Sequence, residues 1–257
     1  QGATMRIWHE QPERTGTVIE SAQASAKTLG IKHHVIDVTE DFYSAVVEPF
    51  IRAYAEGLTP NPCVLCNPTI KFASLINLAD DLGIQNIATG HYARITRHPS
   101  TGRYAVEKAQ SVRRDQSYML YALTQEQLGR LLFPLGEYGK DAIREMALAK
   151  GLRCADTPAS QEICFLSDQD YGRFIWERRP EVFIDGDIVD TKGNVLGRHH
   201  GIIHFTIGQR KGLGIAAGKP MYVCAIDPDT RRVVVGDDTD LFKREMRVGH
   251  LSFMAVS

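Results

Sequence analysis

The chain has 257 residues, 43% hydrophobic and 24% charged, with a formal net charge of −1 at pH 7. That length can fill one large core or two modest ones, and no apolar run approaches the roughly 20 residues that cross a bilayer. The start, Gln1-Gly2-Ala3-Thr4-Met5, lacks the pattern of a secretory signal. The expectation is a cytoplasmic protein with no membrane partner. The near-neutral average excludes a uniformly basic nucleic-acid binder but leaves room for local patches. Arg198, His199, His200, Arg210, Lys211 and Lys219 lie close together in the chain, and Arg113-Arg114 form a smaller cluster.

In chain order, Ala3 to Trp8 reads as a strand, and Thr17-Val18-Ile19-Glu20 as a capping box opening a helix that stops at Gly30. His33 to Val38 is strand-like. Phe42, Val46, Phe50 and Tyr54 stand at helical spacing and predict a helix from Thr39 to Gly57. After the turn-rich Thr59-Pro60-Asn61-Pro62, a helix is expected from about Thr69 to Leu82. Asn86 to Thr89 then forms a short buried strand ending at Gly90-His91. Further helices are expected from Thr124 and from Lys140 to Lys150. This order implies an α/β fold, a parallel sheet with helices on both faces and ligands bound beyond the strand C-termini. From about Phe183 the punctuation changes to Asp185-Gly186, Lys192-Gly193-Asn194 and Asp227-Pro228-Asp229, the texture of a smaller β-rich module.

The five cysteines are an odd number, and a chain of this length needs no disulfide scaffold. Cys63 and Cys66 form a C-x-x-C pair, Cys154 and Cys164 stand alone, and Cys224 lies in an apolar run as a small core residue. The pattern points to redox chemistry, sulfur chemistry or a metal. A position just before a helix N-terminus lowers a thiol's pKa, which suits Cys63 and Cys66 to nucleophilic work. A structural zinc site is the competing reading, although zinc ordinarily takes a second C-x-x-C or paired histidines.

Five motifs are similar, in order, to those of the tRNA-specific 2-thiouridylases. They are Thr59-Pro-Asn-Pro-Cys63-Val-Leu-Cys66-Asn-Pro-Thr-Ile-Lys71-Phe72, Ala88-Thr-Gly90-His91-Tyr92-Ala93, Arg114-Asp115-Gln116-Ser117-Tyr118, Ser160-Gln161-Glu162-Ile163-Cys164-Phe165, and His204 to Ile215 with its Gly-Gln-Arg210-Lys211-Gly core. The resemblance implies a PP-loop ATP pyrophosphatase fold over residues 1–167, a β-rich tRNA-binding domain over 168–245 and the start of a C-terminal β-barrel over 246–257. It implies an enzyme that adenylates the wobble uridine of tRNA with ATP and Mg2+, then replaces O2 with sulfur. Cys66 matches the nucleophile and Cys164 the persulfide carrier. Met5 and Gly90 match ATP-contacting positions. Asn61, Pro62 and Cys63 match the target-base contact, and His91, Arg114, Asp115, Gln116, Arg210 and Lys211 match tRNA contacts.

Partners implied in the same way are tRNAs for lysine, glutamate and glutamine and a sulfur donor or relay protein. Cys63 departs from the aspartate of many relatives. With Cys66 and Cys164 it resembles the ligand set of relatives that hold a 4Fe–4S cluster, an alternative to persulfide chemistry left open here. The family's S-G-G-x-D-S ATP loop and its full C-terminal barrel do not fall within the 257 residues. A non-catalytic tRNA-binding or sulfur-carrier fragment and a zinc-stabilised module therefore stand as competing readings.

Overall fold

A computed structural model of the chain describes residues 1–152, 163–168 and 170–255. The chain divides into two compact units, the first made of Gln1–Val47, Asn61–Ser167 and His250–Ser257, the second of Glu48–Pro60 and Asp168–Gly249.

In the first unit, β1 (Gly2–Arg6) lies parallel to β2 (His33–Asp37), and α1 (Pro12–Thr28) makes the crossover that a parallel pair requires. The expected capping box does not start this helix. Pro12 opens it, where a missing N–H removes no helical hydrogen bond, and Thr17 sits inside with its hydroxyl donating to the Glu13 carbonyl. Gly30, at φ +65°, ends it as expected.

The next helical stretch begins at Thr39 and runs as α2 (Thr39–Phe42), a π turn (Tyr43–Val47) and α3 (Glu48–Ala55). Phe42, Val46, Phe50 and Tyr54 are all buried, in agreement with their spacing. A third stretch comprises α4 (Pro62–Cys66), a second π turn (Asn67–Lys71) and α5 (Phe72–Asp81). It begins well before the expected Thr69. Pro62 occupies the first helical turn and Asn61 caps it, its Oδ1 accepting the Cys63 N–H at 3.1 Å.

Beyond it, β3 (Ile87–Ala88) leads to a hairpin not anticipated from the sequence, β4 (Ala93–Arg97) and β5 (Tyr104–Lys108). Then α6 (Gln125–Arg130) starts at a reciprocal Thr124–Gln127 capping box, and β6 (Leu131–Leu132) pairs in parallel with β3. α7 (Lys140–Ala149) follows as expected. Phe72, Leu120, Leu123, Leu128, Leu131 and Phe133 form the core here. The unit is α/β with parallel pairing, although the described residues show two separate parallel ladders rather than one continuous sheet.

The second unit adds α8 (Tyr171–Trp176) and four strands, β7 (Gly186–Asp190), β8 (Val195–His199), β9 (Tyr222–Asp227) and β10 (Arg232–Gly236). Their order is β8-β7-β10-β9, with β7 and β10 parallel and the other pairs antiparallel. Ile188, Val223, Val233 and Val235 are fully buried on this mixed sheet. Within the same unit Tyr54 stacks on Tyr171, ring centroids 4.4 Å apart. Cys224 is half-buried rather than a core residue, its thiol donating to the Tyr222 carbonyl. Among the described residues no helix is long and apolar enough to cross a membrane.

Candidate active site

Cys66 closes α4, where the helix widens into the Asn67–Lys71 π turn. Such turns are held by side-chain anchoring rather than by ideal backbone geometry. Here the anchors are clear: the Asn67 amide donates to the Met119 carbonyl at 3.1 Å, and Gln127 donates to the Pro68 carbonyl at 2.8 Å. Ile70 and Phe72 bury the other face. Cys66 is therefore a full turn inside a helix and half-buried. Burial raises its thiol pKa above the ordinary 9.0, outweighing the Lys71 cation and the Lys71 backbone N–H, which both act to lower it. The expected position just before a helix N-terminus is not what the fold provides, since α4 opens at Pro62 and Cys66 ends it, and loss of solvent raises the pKa.

Cys164 comes from a turn far along the chain, and that turn is fastened to the β1–α1 connection. The Glu10 N–H donates to the Phe165 carbonyl at 3.1 Å, while the Glu10 carboxylate accepts from the Ser167 N–H at 2.9 Å and hydroxyl at 2.6 Å. Phe165 is buried edge-on to Trp8 and Phe42. Cys164 itself is exposed. The protein crowded around its thiol, followed by Cys66 and then Cys63, pushes its pKa up to about 12. At neutral pH the thiol is therefore protonated. The same electrostatic coupling shows that Cys63, Cys66, Cys164 and Lys71 share one neighbourhood, although the sequence separates them by up to a hundred residues.

His91 is buried, only 8% exposed, and so is turned into the protein rather than toward solvent. Its ring lies among Phe72 and Phe133, with centroids 5.5 and 5.6 Å away. Burial, then the nearby Lys71 charge, lowers its pKa to about 3, so the ring is neutral. The Lys71 ammonium has only protons to give, so it donates to Nε2 across 3.4 Å. Nδ1 then carries the ring proton and donates to the Thr89 hydroxyl at 2.8 Å.

The remaining expected positions divide by role. Gly90 is exposed just past the β3 C-terminus, and Met5 is half-buried in β1. Asn61 is exposed and caps α4, and Pro62 is buried behind it. Asp115 accepts from the Ala109 N–H and the Ser117 hydroxyl, and Gln116 exchanges two hydrogen bonds with the Tyr92 backbone. Asp115 thus ties the motif to the end of β5 and Gln116 ties it to the residue after His91, and Arg114 is half-buried. In the second unit, Arg210 and Lys211 are exposed on a loop whose Gly208, Gly212 and Gly214 all have positive φ. Arg210 and Lys219 line a shallow cavity there. Ser160, Gln161, Glu162 and Cys154 lie outside the described residues. Lys71, Thr89 and Asn67 were not singled out from sequence, although Lys71 and Asn67 stand inside the quoted C-N-x-x-I-K-F run.

Family models add a second line of observation. One described as "tRNA methyl transferase HUP domain" matches residues 1–168, and one described as "tRNA methyl transferase PRC-barrel domain" matches 172–237. The tRNA-specific 2-thiouridylase MnmA of Acetivibrio thermocellus is 45% identical over 99% of this chain and 74% of its own length. Its namesakes in Clostridioides difficile and Carboxydothermus hydrogenoformans are each 44% identical, over 99% and 98% of this chain and 73% and 72% of theirs. The chain belongs to the tRNA-specific 2-thiouridylase family. The family's HUP fold accounts for the parallel α/β first unit, and its PRC-barrel domain for the mixed sheet of the second.

A thiouridylase of this three-cysteine kind raises the question of a metal cluster. Among the described residues no three His, Cys, Asp or Glu side chains converge closely enough to hold a metal ion.

Proposed function

We propose that this chain is the ATP-dependent sulfurtransferase that converts the wobble uridine of tRNA to 2-thiouridine, with Cys66 and Cys164 as its two sulfur-handling residues. The observation that carries the reading is the 45% identity to a tRNA-specific 2-thiouridylase over 99% of the chain, supported by the electrostatic coupling of Cys164 to Cys66 and Lys71. The family models speak of methyl transfer and the relatives' names of thiolation. Two neighbouring thiols, one exposed and one recessed, are the equipment of the second.

The chemistry follows from what a urea-like carbonyl lacks, a leaving group. The uridine O2 attacks the α-phosphate of ATP, pyrophosphate departs, and O2 becomes esterified to AMP; Mg2+, when bound, would neutralise charge on the phosphates. A sulfur donor or relay protein loads Cys164 as a persulfide on its exposed side. The terminal sulfur attacks C2, and AMP leaves with the oxygen. The resulting adduct joins C2 to Cys164 through a disulfide bond. The Cys66 thiolate attacks the Cys164 Sγ, that bond breaks, and its electron pair stays on the sulfur now bound to C2. A Cys66–Cys164 disulfide remains, to be reduced by an external dithiol.

Gly90 and Met5 lie at the parallel-strand positions where nucleotides are bound in such folds, which supports their assignment to ATP. Asn61 and Cys63, next to Cys66, suit contact with the target base, and Arg114 with Arg210 and Lys211 suits contact with tRNA phosphates. We assign lysine, glutamate and glutamine tRNAs as substrates by family analogy, and take the domain division at Asp168. The test is nucleoside mass analysis of tRNA incubated with the protein, ATP, Mg2+ and a persulfide donor. The reading requires ATP-dependent 2-thiouridine, lost in Cys66→Ser and in Cys164→Ser. Wild-type product from either variant removes that cysteine from the mechanism.

A further inference from the structure

We infer that Lys71 is the cation that holds the sulfur anion during transfer, and that His91 is the positioning residue that aims it. The inference rests on the thiouridylase reading and adds to it a charge that the two cysteines lack.

Lys71 is half-buried at the end of the π turn that begins after Cys66. A cation taken out of water ordinarily sits against a carboxylate. Among the described residues Lys71 has no carboxylate partner, and its hydrogen-bond acceptor is the imidazole of His91. The difference matters. A carboxylate would cancel the charge, whereas a neutral ring fixes the ammonium in place and leaves its full charge available. The ring is itself held by the Thr89 hydroxyl at 2.8 Å and walled by Phe72 and Phe133, so it has little freedom to turn.

Cys66 and Cys164 both fall within the electrostatic reach of that charge, and a single π turn joins Cys66 to Lys71. During the reaction anionic sulfur appears twice, first on the terminal atom of the Cys164 persulfide, then on Cys66 as it attacks the adduct. A fixed cation that meets charge only when charge develops is the arrangement that favours the transition state over the resting state. His91 is matched by resemblance to a tRNA contact; its burial and its two bonds also tie it to Lys71.

The experiment is single-turnover thiolation by the intact persulfide-loaded protein, with ATP and tRNA saturating. Lys71→Ala should slow the sulfur step by about 100-fold, the usual effect of deleting one preorganised charge-stabilising group. Lys71→Arg should retain most of the rate, and added ethylammonium should restore part of it to Lys71→Ala, which no purely structural role would allow. His91→Gln, whose amide oxygen still accepts from an ammonium, should exceed His91→Phe. If Lys71→Ala runs at the wild-type rate while Cys66→Ser is dead, the inference is wrong and the thiouridylase reading stands. If Cys66→Ser also runs normally, the reading itself falls. Folding is checked by circular dichroism. Should Lys71→Ala unfold, Lys71→Arg against Lys71→Met decides: equal loss in both overturns a role for the charge.

Discussion

The Lys71 ammonium stands 3.4 Å from Nε2 of His91, a cation paired with a neutral ring instead of an acid. This pairing joins the C-N-x-x-I-K-F and A-T-G-H-Y-A runs into one site, and it carries consequences for stability as well as for chemistry.

The first concerns acid. His91 has its pKa lowered from 6.5 to about 3 in the folded protein, by burial first and Lys71 second. Above pH 6.5 the ring is neutral in both the folded and unfolded chain, and its preference for the neutral form costs nothing. As pH falls through 6.5 the unfolded chain takes up a proton that the folded chain refuses, so stability is lost progressively down to the folded value. By pH 4 the loss is on the order of 3 kcal/mol. Urea unfolding of wild type and His91→Gln between pH 7 and 4 checks it: the wild-type slope should be the steeper of the two.

A second prediction concerns the thiols. Both Cys66 and Cys164 have raised pKa values, chiefly through burial. Iodoacetamide should label both slowly near neutral pH and faster as pH climbs past 9.0, later than a free cysteine. Stability should move the other way, since an acid held protonated by the fold favours folding below its ordinary pKa and loses that advantage as pH rises through the raised one. Peptide mass mapping of the labelled sites reads the first effect, and fast labelling of either cysteine at neutral pH would contradict it.

Packing gives a third. Phe72 is completely buried and its ring touches those of His91 and Phe133. Phe72→Ala should destabilise the protein by about 3–5 kcal/mol, measured by denaturant midpoint. It should also slow thiolation beyond what the residual folded fraction explains, because the wall behind His91 is gone.

The fourth lies in the second unit. A methyl group at Gly186 would stand 2.0 Å from the Arg231 carbonyl oxygen and 2.7 Å from Nε2 of His199. Backbone occupies that space, so Gly186→Ala must push β7 away from its neighbours. A clear drop in melting temperature is expected, with Gly193→Ala, which meets no neighbour but has φ +88°, as a control for strain alone.

Periodicity made Phe42, Val46, Phe50 and Tyr54 legible, because a helix that buries one face must repeat apolar residues at that spacing. Helix starts were less legible. Thr17 and Glu20 satisfy the letter of a capping box but sit inside α1, and Pro62, read as part of a turn-rich stretch, opens α4. A proline in the first turn and a proline in a loop look alike until the hydrogen bond at Asn61 is seen. The β4–β5 hairpin had its signal in the turn His98 to Gly102, which includes Pro99 and Gly102, but its strands carry too many charges to alternate cleanly. Cys66 and Cys164 stand out as candidates through their motifs. Their raised pKa values were not legible, since burial is a tertiary property. Nor was the pairing of Lys71 with His91, twenty positions apart.

The most direct measurement is the fate of the two thiols after one turnover. Persulfide-loaded protein is mixed with tRNA and ATP, quenched without reductant, and digested for peptide mapping while 2-thiouridine is counted in the same sample. A Cys66–Cys164 disulfide rising in step with 2-thiouridine is the predicted result. Accumulating 2-thiouridine with both cysteines still free to alkylate would contradict the account.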